Sequence, residues 1–357
     1  MVVGLAVVVI SERRAGLPRS ATCDDVDPGG TRLRSAPPPT TRDAAGGRAG
    51  VRDGEVISPA FRPVSAEAVY CEDLADPFVV VDGTLRRRYL AYGTNTEDDH
   101  VPVLLSGGIL RSESIAEGLP RLPAWSTPGA VWAPSVLRQD DVFVLYYATT
   151  HVASGRQCIS RATASQSQGP FEDHSEGPLV CPTELGGAID PSPFVAEDGA
   201  TYLLWKADGN CCGMPTRIFI QPLSDDGLEV AGPPRELLGS TLPWEAGVVE
   251  APAMVEHDGA VYLFYSGNAW NSASYAVGYA RCDTPLGPCR KPLEGPWLAS
   301  SPEAAGPGGQ EFFTDRGALH MIFGAWLNGV VGYDSGSFRS LYTLEVSFRD
   351  GVPVVAG

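Results

Sequence analysis

Short apolar runs joined by tight turns dominate the chain from about residue 65 onward. The stretch from Gly187 to Asn210 shows the pattern most clearly: Asp190 precedes one apolar run, a Glu-Asp-Gly turn follows, and a second run ends at Trp205. An Asp-Gly step between two such runs is a strong signal for a β-hairpin. No long stretch has the apolar period of an amphipathic helix, so we predict an all-β protein.

This hairpin phrase recurs five times, at intervals of 56 to 60 residues. Each copy begins with an acid, a tryptophan or a glutamine near the start of an apolar strand: Asp76, Trp132, Asp190, Glu250 and Gln310. A second phrase, from Ala162 to Pro170, matches the segment from Ala280 to Pro288, two repeats later. A fixed period of this length, with several strands in each unit, is typical of propeller blades. The sequence therefore predicts a five-bladed β-propeller over residues 65–357.

The repeat also predicts where the side chains that begin each copy lie. In a propeller the innermost strand of every blade runs along the central channel, so equivalent positions converge on one end of the axis. Asp76, Asp190, Glu250 and the aromatic Trp132 are therefore expected in one pocket. The alternative is that these acids are ordinary turn residues, because acids before proline are common in turns. Their shared phase within the repeat favours the pocket.

The segment before the repeats has a different composition. An apolar run from Val2 to Ile10 is too short to span a bilayer and fits the hydrophobic part of a secretory signal, although no Lys or Arg precedes it. A chance apolar terminus or a start codon assigned too late is the alternative. Residues 1–20 are thus interpreted as a signal or apolar segment, and residues 21–64, rich in Gly and Pro, as a disordered linker.

Charge and cysteine content narrow the class of protein. The net charge of −17 argues against a nucleic-acid partner, since phosphates demand a basic surface. The even number of cysteines, eight, fits an oxidising compartment, and the candidate disulfides are Cys282–Cys289 and Cys158–Cys181. The sequence contains no CxxC pair, so structural zinc is not indicated. It also has no nucleophile elbow and no phosphate-binding glycine loop. We expect a secreted monomer without a membrane span.

Three converging acids suit glycoside hydrolysis. One carboxylic acid must protonate the leaving oxygen, and one carboxylate must activate a water or attack the sugar. A third carboxylate nearby raises the proton affinity of its neighbour, because like charges resist joint ionisation. Trp132, Trp205 and Trp270 could stack on a sugar ring; core packing is the alternative for each and is favoured for Trp205, which lies inside a strand.

In its motifs the chain resembles glycoside hydrolase family 43 from about Glu67 to Gly357. The motifs are Ala75-Asp76-Pro77-Phe78, Val131-Trp132-Ala133-Pro134, Ile189-Asp190-Pro191, Val249-Glu250-Ala251-Pro252 and the segment beginning at Arg339. The resemblance implies a five-bladed propeller that cleaves arabinan, arabinoxylan or related oligosaccharides with inversion. It implies that Asp76 is the general base, Glu250 the general acid, and Asp190 the residue that orients the acid and tunes its proton affinity. Trp132, Gln310 and Arg339 are the expected substrate-binding residues.

One departure from the family pattern concerns metal binding. Relatives carry a histidine in a Gly-x-Gly-His phrase of the fifth blade, near an axial metal or water cluster, and here the phrase ends in Gly308, Gly309 and Gln310. We therefore expect that no metal or cofactor is required, with an axial calcium as the alternative. Two other functions stay open: a carbohydrate-binding or inactive propeller, and a retaining fructan-type glycosidase. Against the latter, Glu250 is followed by alanine rather than by cysteine.

Overall fold

The computed structural model describes residues 68–86, 88–109 and 112–355. The expectations for residues 1–20 and 21–64 lie outside these residues. The described residues form these strands: β1 Ala68–Tyr70, β2 Phe78–Val81, β3 Tyr89–Tyr92, β4 Pro102–Ser106, β5 Ser112–Glu117, β6 Ser126–Gln139, β7 Val142–His151, β8 Gln157–Ala164, β9 Ala188–Val195, β10 Thr201–Ala207, β11 Arg217–Pro222, β12 Arg235–Gly239, β13 Val249–His257, β14 Ala260–Gly267, β15 Ala276–Cys282, β16 Cys289–Arg290, β17 Ala304–Asp315, β18 Ala318–Leu327, β19 Arg339–Arg349 and β20 Val352–Val355. Helical structure over the same residues is confined to short 3₁₀ turns at Thr183–Leu185, Gly209–Cys212, Pro243–Glu245 and Tyr333–Ser335.

These strands form five antiparallel sheets, which are the five blades of a propeller, as predicted. Blade 1 is β2–β5, blade 2 is β6–β8, blade 3 is β9–β12, and blade 4 is β13–β16. Blade 5 consists of β17, β18 and β19, with β1 and β20 both paired to the outer edge of β19. The inner strands contact one another in the order β2, β6, β9, β13 and β17, and β17 contacts β2, so the ring is closed.

The hydrophobic core lies in the five seams between neighbouring blades. Alternate side chains of one strand enter different seams, because successive residues of a β-strand point to opposite faces. In β14, Leu263 and Tyr265 pack toward blade 3, whereas Tyr262 and Phe264 pack toward blade 5. Trp205 is a core residue, as favoured from the sequence: it is buried and stacks on Phe219 with 4.5 Å between ring centroids.

The hairpin turns have the residues and the backbone conformation that the Asp-Gly steps in the sequence predict. The central residues of the turns Asp258-Gly259, Arg316-Gly317 and Asp350-Gly351 all have positive φ, between 50° and 84°. Two successive positive φ values define the type I′ turn, whose twist matches that of a hairpin. Each of these turns reverses the chain between two strands of one blade or, for Asp350-Gly351, between β19 and β20.

A backbone irregularity recurs once per blade near the start of the inner strand. One residue there has a left-handed conformation, with φ between 44° and 62°: Asp76, Ala133, Asp190, Ala251 and Gly309. The pairing register of β6, β9, β13 and β17 shifts at the same place, as at a β-bulge. A non-glycine residue in this conformation costs roughly 1–2 kcal/mol. Asp190 and Asp76, which precedes β2, occupy the left-handed position itself. Trp132 and Glu250 precede that position by one residue and Gln310 follows it, which refines the equivalence inferred from sequence.

Both predicted disulfides are present, Cys158–Cys181 and Cys282–Cys289. A third pair, Cys211–Cys212, was not foreseen and lies in the 3₁₀ turn after β10. Among the described residues no helix has the length and apolar character needed to cross a membrane.

Candidate active site

A pocket of about 990 Å³ opens where the recurrent bulges meet at one end of the channel. All six site residues predicted from the sequence line it: Asp76, Trp132, Asp190, Glu250, Gln310 and Arg339. The volume lies within the range of small-molecule sites, about 300–1,000 Å³. The shared phase of the acids thus does bring their positions together, as inferred from the repeat.

Asp76 lies on the side of the pocket formed by blades 1 and 5. Its Oδ1 accepts a hydrogen bond from Nη1 of Arg339 at 2.8 Å, and its Oδ2 accepts one from the Thr94 hydroxyl at 2.8 Å. Thr94 is held in turn, because its oxygen accepts the backbone N–H of Ala133 from blade 2. The carboxylate is therefore fixed by three blades, while its side chain keeps 25% exposure to the pocket.

Arg339 is buried at the first residue of β19. Its guanidinium lies 6.0 Å from the ring centre of Trp270 and 5.8 Å from that of Tyr275, within the range of cation–π attraction. Over the described part of the chain, its Nε and Nη2 have no hydrogen-bond partner although they are buried. Buried donors without a partner are costly, so these N–H groups are available for an acceptor that enters the pocket.

Glu250 and Asp190 lie on the opposite side, formed by blades 3 and 4. Glu250 is buried, and its Oε1 accepts the Tyr275 hydroxyl while its Oε2 accepts Nζ of Lys206, each at 2.8 Å. Asp190 Oδ2 accepts the backbone N–H of Ala251, the residue that follows Glu250, at 2.8 Å. Asp190 thus fixes the bulge that orients Glu250.

The buried setting changes the ionisation of this side. Burial raises the pKa of Asp190 to about 7, and the negative charge of Glu250 adds to the rise, whereas the Lys206 ammonium opposes it. Burial by itself would lower the pKa of Lys206, but the charges of Glu250, Asp190 and Asp208 outweigh it and raise that pKa. The acids and the lysine therefore form one coupled group, in which a proton is retained near neutral pH.

The other predicted contacts differ in their exposure. Trp132 is 36% exposed at the pocket wall and can meet a ligand face. Gln310 is buried, and both ends of its amide are engaged: Nε2 donates to the Ala251 carbonyl at 2.7 Å, and Oε1 accepts the Ser266 hydroxyl at 2.8 Å. Gln310 therefore ties blade 5 to the bulge beside Glu250.

Several residues of the site were missed by the sequence analysis. Lys206, Tyr275, Thr94, Asp73 and Glu311 all line the pocket. Lysine inside the otherwise apolar run Tyr-Leu-Leu-Trp-Lys-Ala was a usable signal, since lysine is seldom buried without a partner.

Glu311 was hidden because it directly follows the repeat position. Burial raises its pKa to about 8, and a hydrogen bond with Ser192 opposes the rise. Tyr275 and Thr94 come from segments that carry no repeat phrase, so their positions could not be read from the pattern.

Gly309 stands at the position that the family phrase Gly-x-Gly-His gives to the metal-associated histidine. Its φ is 62°, and a Cβ at this position would lie 2.7 Å from Asp76 Oδ1 and 3.1 Å from Arg339 Nη2. A side chain here would displace the ion pair of those two residues, so the site does not fit a calcium held through residue 309. The only cluster with metal-ligand spacing among the described residues is His151, Cys158 and Cys181, and the two sulfurs of that cluster are bonded to each other.

Comparison with known proteins identifies the family. The model of the family described as Glycosyl hydrolases family 43 matches residues 66–353. The chain belongs to this family. A family 43 crystal structure, described as a thermostable glycoside hydrolase, has a TM-score of 0.70 and 26% sequence identity, and the match covers 80% of this chain and 93% of that one.

Curated relatives match a smaller part of this chain than that structure does. A β-D-galactofuranosidase of Aspergillus niger is 30% identical over 175 residues, which are 46% of this chain and 47% of that protein. An extracellular exo-α-(1→5)-L-arabinofuranosidase of Streptomyces avermitilis is 26% identical over 239 residues, 62% of this chain and 46% of that protein. The chain thus spans about half the length of these two relatives.

Proposed function

We propose that the protein is an inverting glycosidase that acts on arabinose- or xylose-containing plant polysaccharides or their oligosaccharides. The observation that carries the proposal is the pocket in which Asp76, Asp190 and Glu250 meet at the open end of a family 43 propeller. Asp76 and Glu250 both line this pocket and are held by different partners, which suits a separate base and acid.

In the proposed reaction, Asp76 is the general base and Glu250 the general acid. Asp76 takes a proton from a water molecule, whose oxygen attacks the anomeric carbon. Glu250 gives its proton to the leaving oxygen as the bond between that oxygen and the sugar breaks. Asp190 orients Glu250 through Ala251, and the charge of Glu250 contributes to the raised pKa of Asp190. The free N–H groups of Arg339 suit sugar hydroxyls, and Trp132 offers an apolar face.

A substrate screen tests this proposal. The substrates are the 4-nitrophenyl α-L-arabinofuranoside, β-D-xyloside and β-D-galactofuranoside, together with arabinan and arabinoxylan. We expect release of nitrophenol or reducing sugar from at least one arabinose- or xylose-containing substrate. Turnover of the galactofuranoside alone would redirect the substrate class, which the name of the Aspergillus niger relative makes worth testing.

Two other outcomes would replace the proposal. Saturable binding of the oligosaccharides without any turnover would favour a carbohydrate-binding propeller. Proton NMR of the first-formed sugar gives the anomeric outcome, and retention of configuration would assign a nucleophile in place of a base.

We further propose that the protein is exported and needs no cofactor. Export is supported by the disulfides found among the described residues and by the name of the extracellular Streptomyces relative. Thiol titration of the denatured, unreduced protein should find far fewer than eight thiols. Activity should survive a chelator; loss in EDTA followed by recovery with calcium would contradict the second part.

A further inference from the structure

Lys206 is a buried cation at the acid side of the pocket. It lies in β10 between Trp205 and Ala207 and is 1% exposed. Its Nζ lies 2.8 Å from Glu250 Oε2 and 3.4 Å from Asp208 Oδ1. Removing an ammonium from water costs several kcal/mol unless partners compensate it, so these two contacts determine where the side chain can lie.

We infer that Lys206 is a positioning residue for the reaction: it fixes the rotamer of Glu250 toward the leaving-group oxygen and sets the pH at which the Asp190–Glu250 pair gives up its last proton. This inference rests on the proposed function of Glu250. Lys206 acts through Glu250 rather than on the substrate.

The first part of the argument is geometric. Glu250 has donors on both of its oxygens, the Tyr275 hydroxyl on Oε1 and Lys206 on Oε2. Two fixed donors on different oxygens leave the carboxyl a single orientation, which suits a group that must present one proton along one direction. Loss of Lys206 would leave only the Tyr275 contact and would free the side chain to rotate.

The second part concerns charge. The groups that face Lys206 are Glu250 from β13, Asp190 from β9, and Asp208 from the turn after β10. Arg156 faces Asp208 from outside, and Asp76 faces Asp190 across the pocket. Since Lys206 is the cation that faces both Asp190 and Glu250, it favours their ionised forms, and its removal should make the pair hold its proton to higher pH.

The chain contains a matched pair that is not at the site. Lys291 has a side chain that is only 8% exposed, and its Nζ lies 2.5 Å from a carboxylate oxygen of the buried Glu245. Glu245 also accepts a tyrosine hydroxyl, that of Tyr265, at 2.8 Å. Neither Lys291 nor Glu245 lines the pocket, so Lys291→Met removes the same kind of contact without touching the proposed acid.

The experiment compares Lys206→Met with Lys291→Met in the full chain. For Lys206→Met we expect the alkaline limb of kcat/KM against pH to move upward by ~1–3 pH units. We also expect ~10²-fold loss of kcat on oligosaccharides from the misplaced carboxyl, with a smaller loss on nitrophenyl glycosides. Lys291→Met should lose stability and leave the limb in place. An unmoved limb in Lys206→Met, or an equal shift in both variants, would overturn the inference.

A second measurement needs no substrate, so it separates this inference from the proposed function. In protein labelled with ¹³C at Asp and Glu carboxyls, the Asp190 resonance should titrate near pH 7 in the wild type and at higher pH in Lys206→Met. Asp208→Asn is the milder variant, used if Lys206→Met does not fold; it removes a negative charge and should move the same midpoint downward. Identical midpoints in the wild type and in Lys206→Met would show that Lys206 does not set this ionisation.

Discussion

On the side of the pocket formed by blades 1 and 5, Asp76 pairs with the guanidinium of Arg339, and the neighbouring Asp73 accepts the backbone N–H of Arg339. On the side formed by blades 3 and 4, Asp190, Glu250 and Asp208 share the single ammonium of Lys206. On the first side Asp76 has a cation of its own and is partly exposed, whereas on the second side several acids share the buried cation of Lys206. A nearby cation favours the ionised form of a carboxyl group, and nearby like charges oppose it. The two sides thus differ in the way that a base and an acid must differ.

The largest expected effect is on the side of the pocket that holds Asp76. Asp76→Asn keeps the shape of the side chain and removes the proton acceptor, so kcat should fall by about 10²–10⁴-fold. Steady-state kinetics on any cleaved substrate measures this. Asp315→Asn is the matched control, because Asp315 also pairs with an arginine, Arg88, between blades 5 and 1, but does not line the pocket. It should lose stability and keep its activity; near-full activity in Asp76→Asn would remove Asp76 from the role of base.

A comparable effect that depends on the substrate is expected on the buried side. Glu250→Ala should lose about 10²–10⁴-fold on arabino- or xylo-oligosaccharides, because a sugar alkoxide leaves poorly without a proton. A nitrophenolate leaves without one, so the loss on nitrophenyl glycosides should be much smaller. The ratio of the two kcat/KM values, measured on one enzyme preparation, is the readout. Equal losses on both substrates would mean that Glu250 is not the acid.

A smaller effect should follow from disturbing the Asp76–Arg339 pair without removing it. The new methyl of Gly309→Ala would collide with Asp76 Oδ1, and we expect up to ~10²-fold loss of kcat from the displaced carboxylate. Gly259→Ala controls for backbone strain, since Gly259 has a similar φ of 70° but nothing within 4 Å of its would-be Cβ. If both variants lose activity equally, the strain rather than the collision is responsible.

The smallest expected effect is a shift in pH dependence. Asp190→Asn removes a negative charge beside Glu250, so the remaining acid should release its proton more readily. The alkaline limb of kcat/KM should therefore move to lower pH, opposite in sign to the shift expected for Lys206→Met. The rate at the new optimum should fall less than in Glu250→Ala, because the asparagine can still accept the Ala251 N–H. A limb that moves upward would contradict the repulsion between the two acids.

The fold and the main acids could be predicted from the sequence for one physical reason. A propeller repeats its backbone path, so Asp76, Asp190 and Glu250 carry their positions in their spacing along the chain. The Asp-Gly turns and the cysteine pair that brackets a short turn are likewise local features. Each of these inferences needed only neighbouring residues or a fixed period.

What could not be predicted depends on side-chain contacts between residues that are distant in sequence. Lys206 and Glu250 are 44 residues apart in sequence, and Thr94 and Asp76 are 18 apart. No periodic pattern in the sequence predicts either contact. The bulge is also invisible in the sequence, because Asp, Ala and Gly all occupy its left-handed position. That is why the repeat aligned Trp132 with Asp190, although Ala133 shares the backbone conformation of Asp190.

The closure of the ring joins the two ends of the described chain within one blade. β1, which precedes Asp76, pairs with β19, whose first residue is Arg339. The ion pair between Asp76 and Arg339 joins residues that are 263 positions apart in sequence. On a ribosome, Asp76 is therefore made long before its counterion, and the buried acids of blades 3 and 4 precede the final strand as well. The proposed base can reach its working geometry only when the last blade has been synthesised and fastened to the first strand, so the growing chain passes through most of its length without a competent catalytic centre.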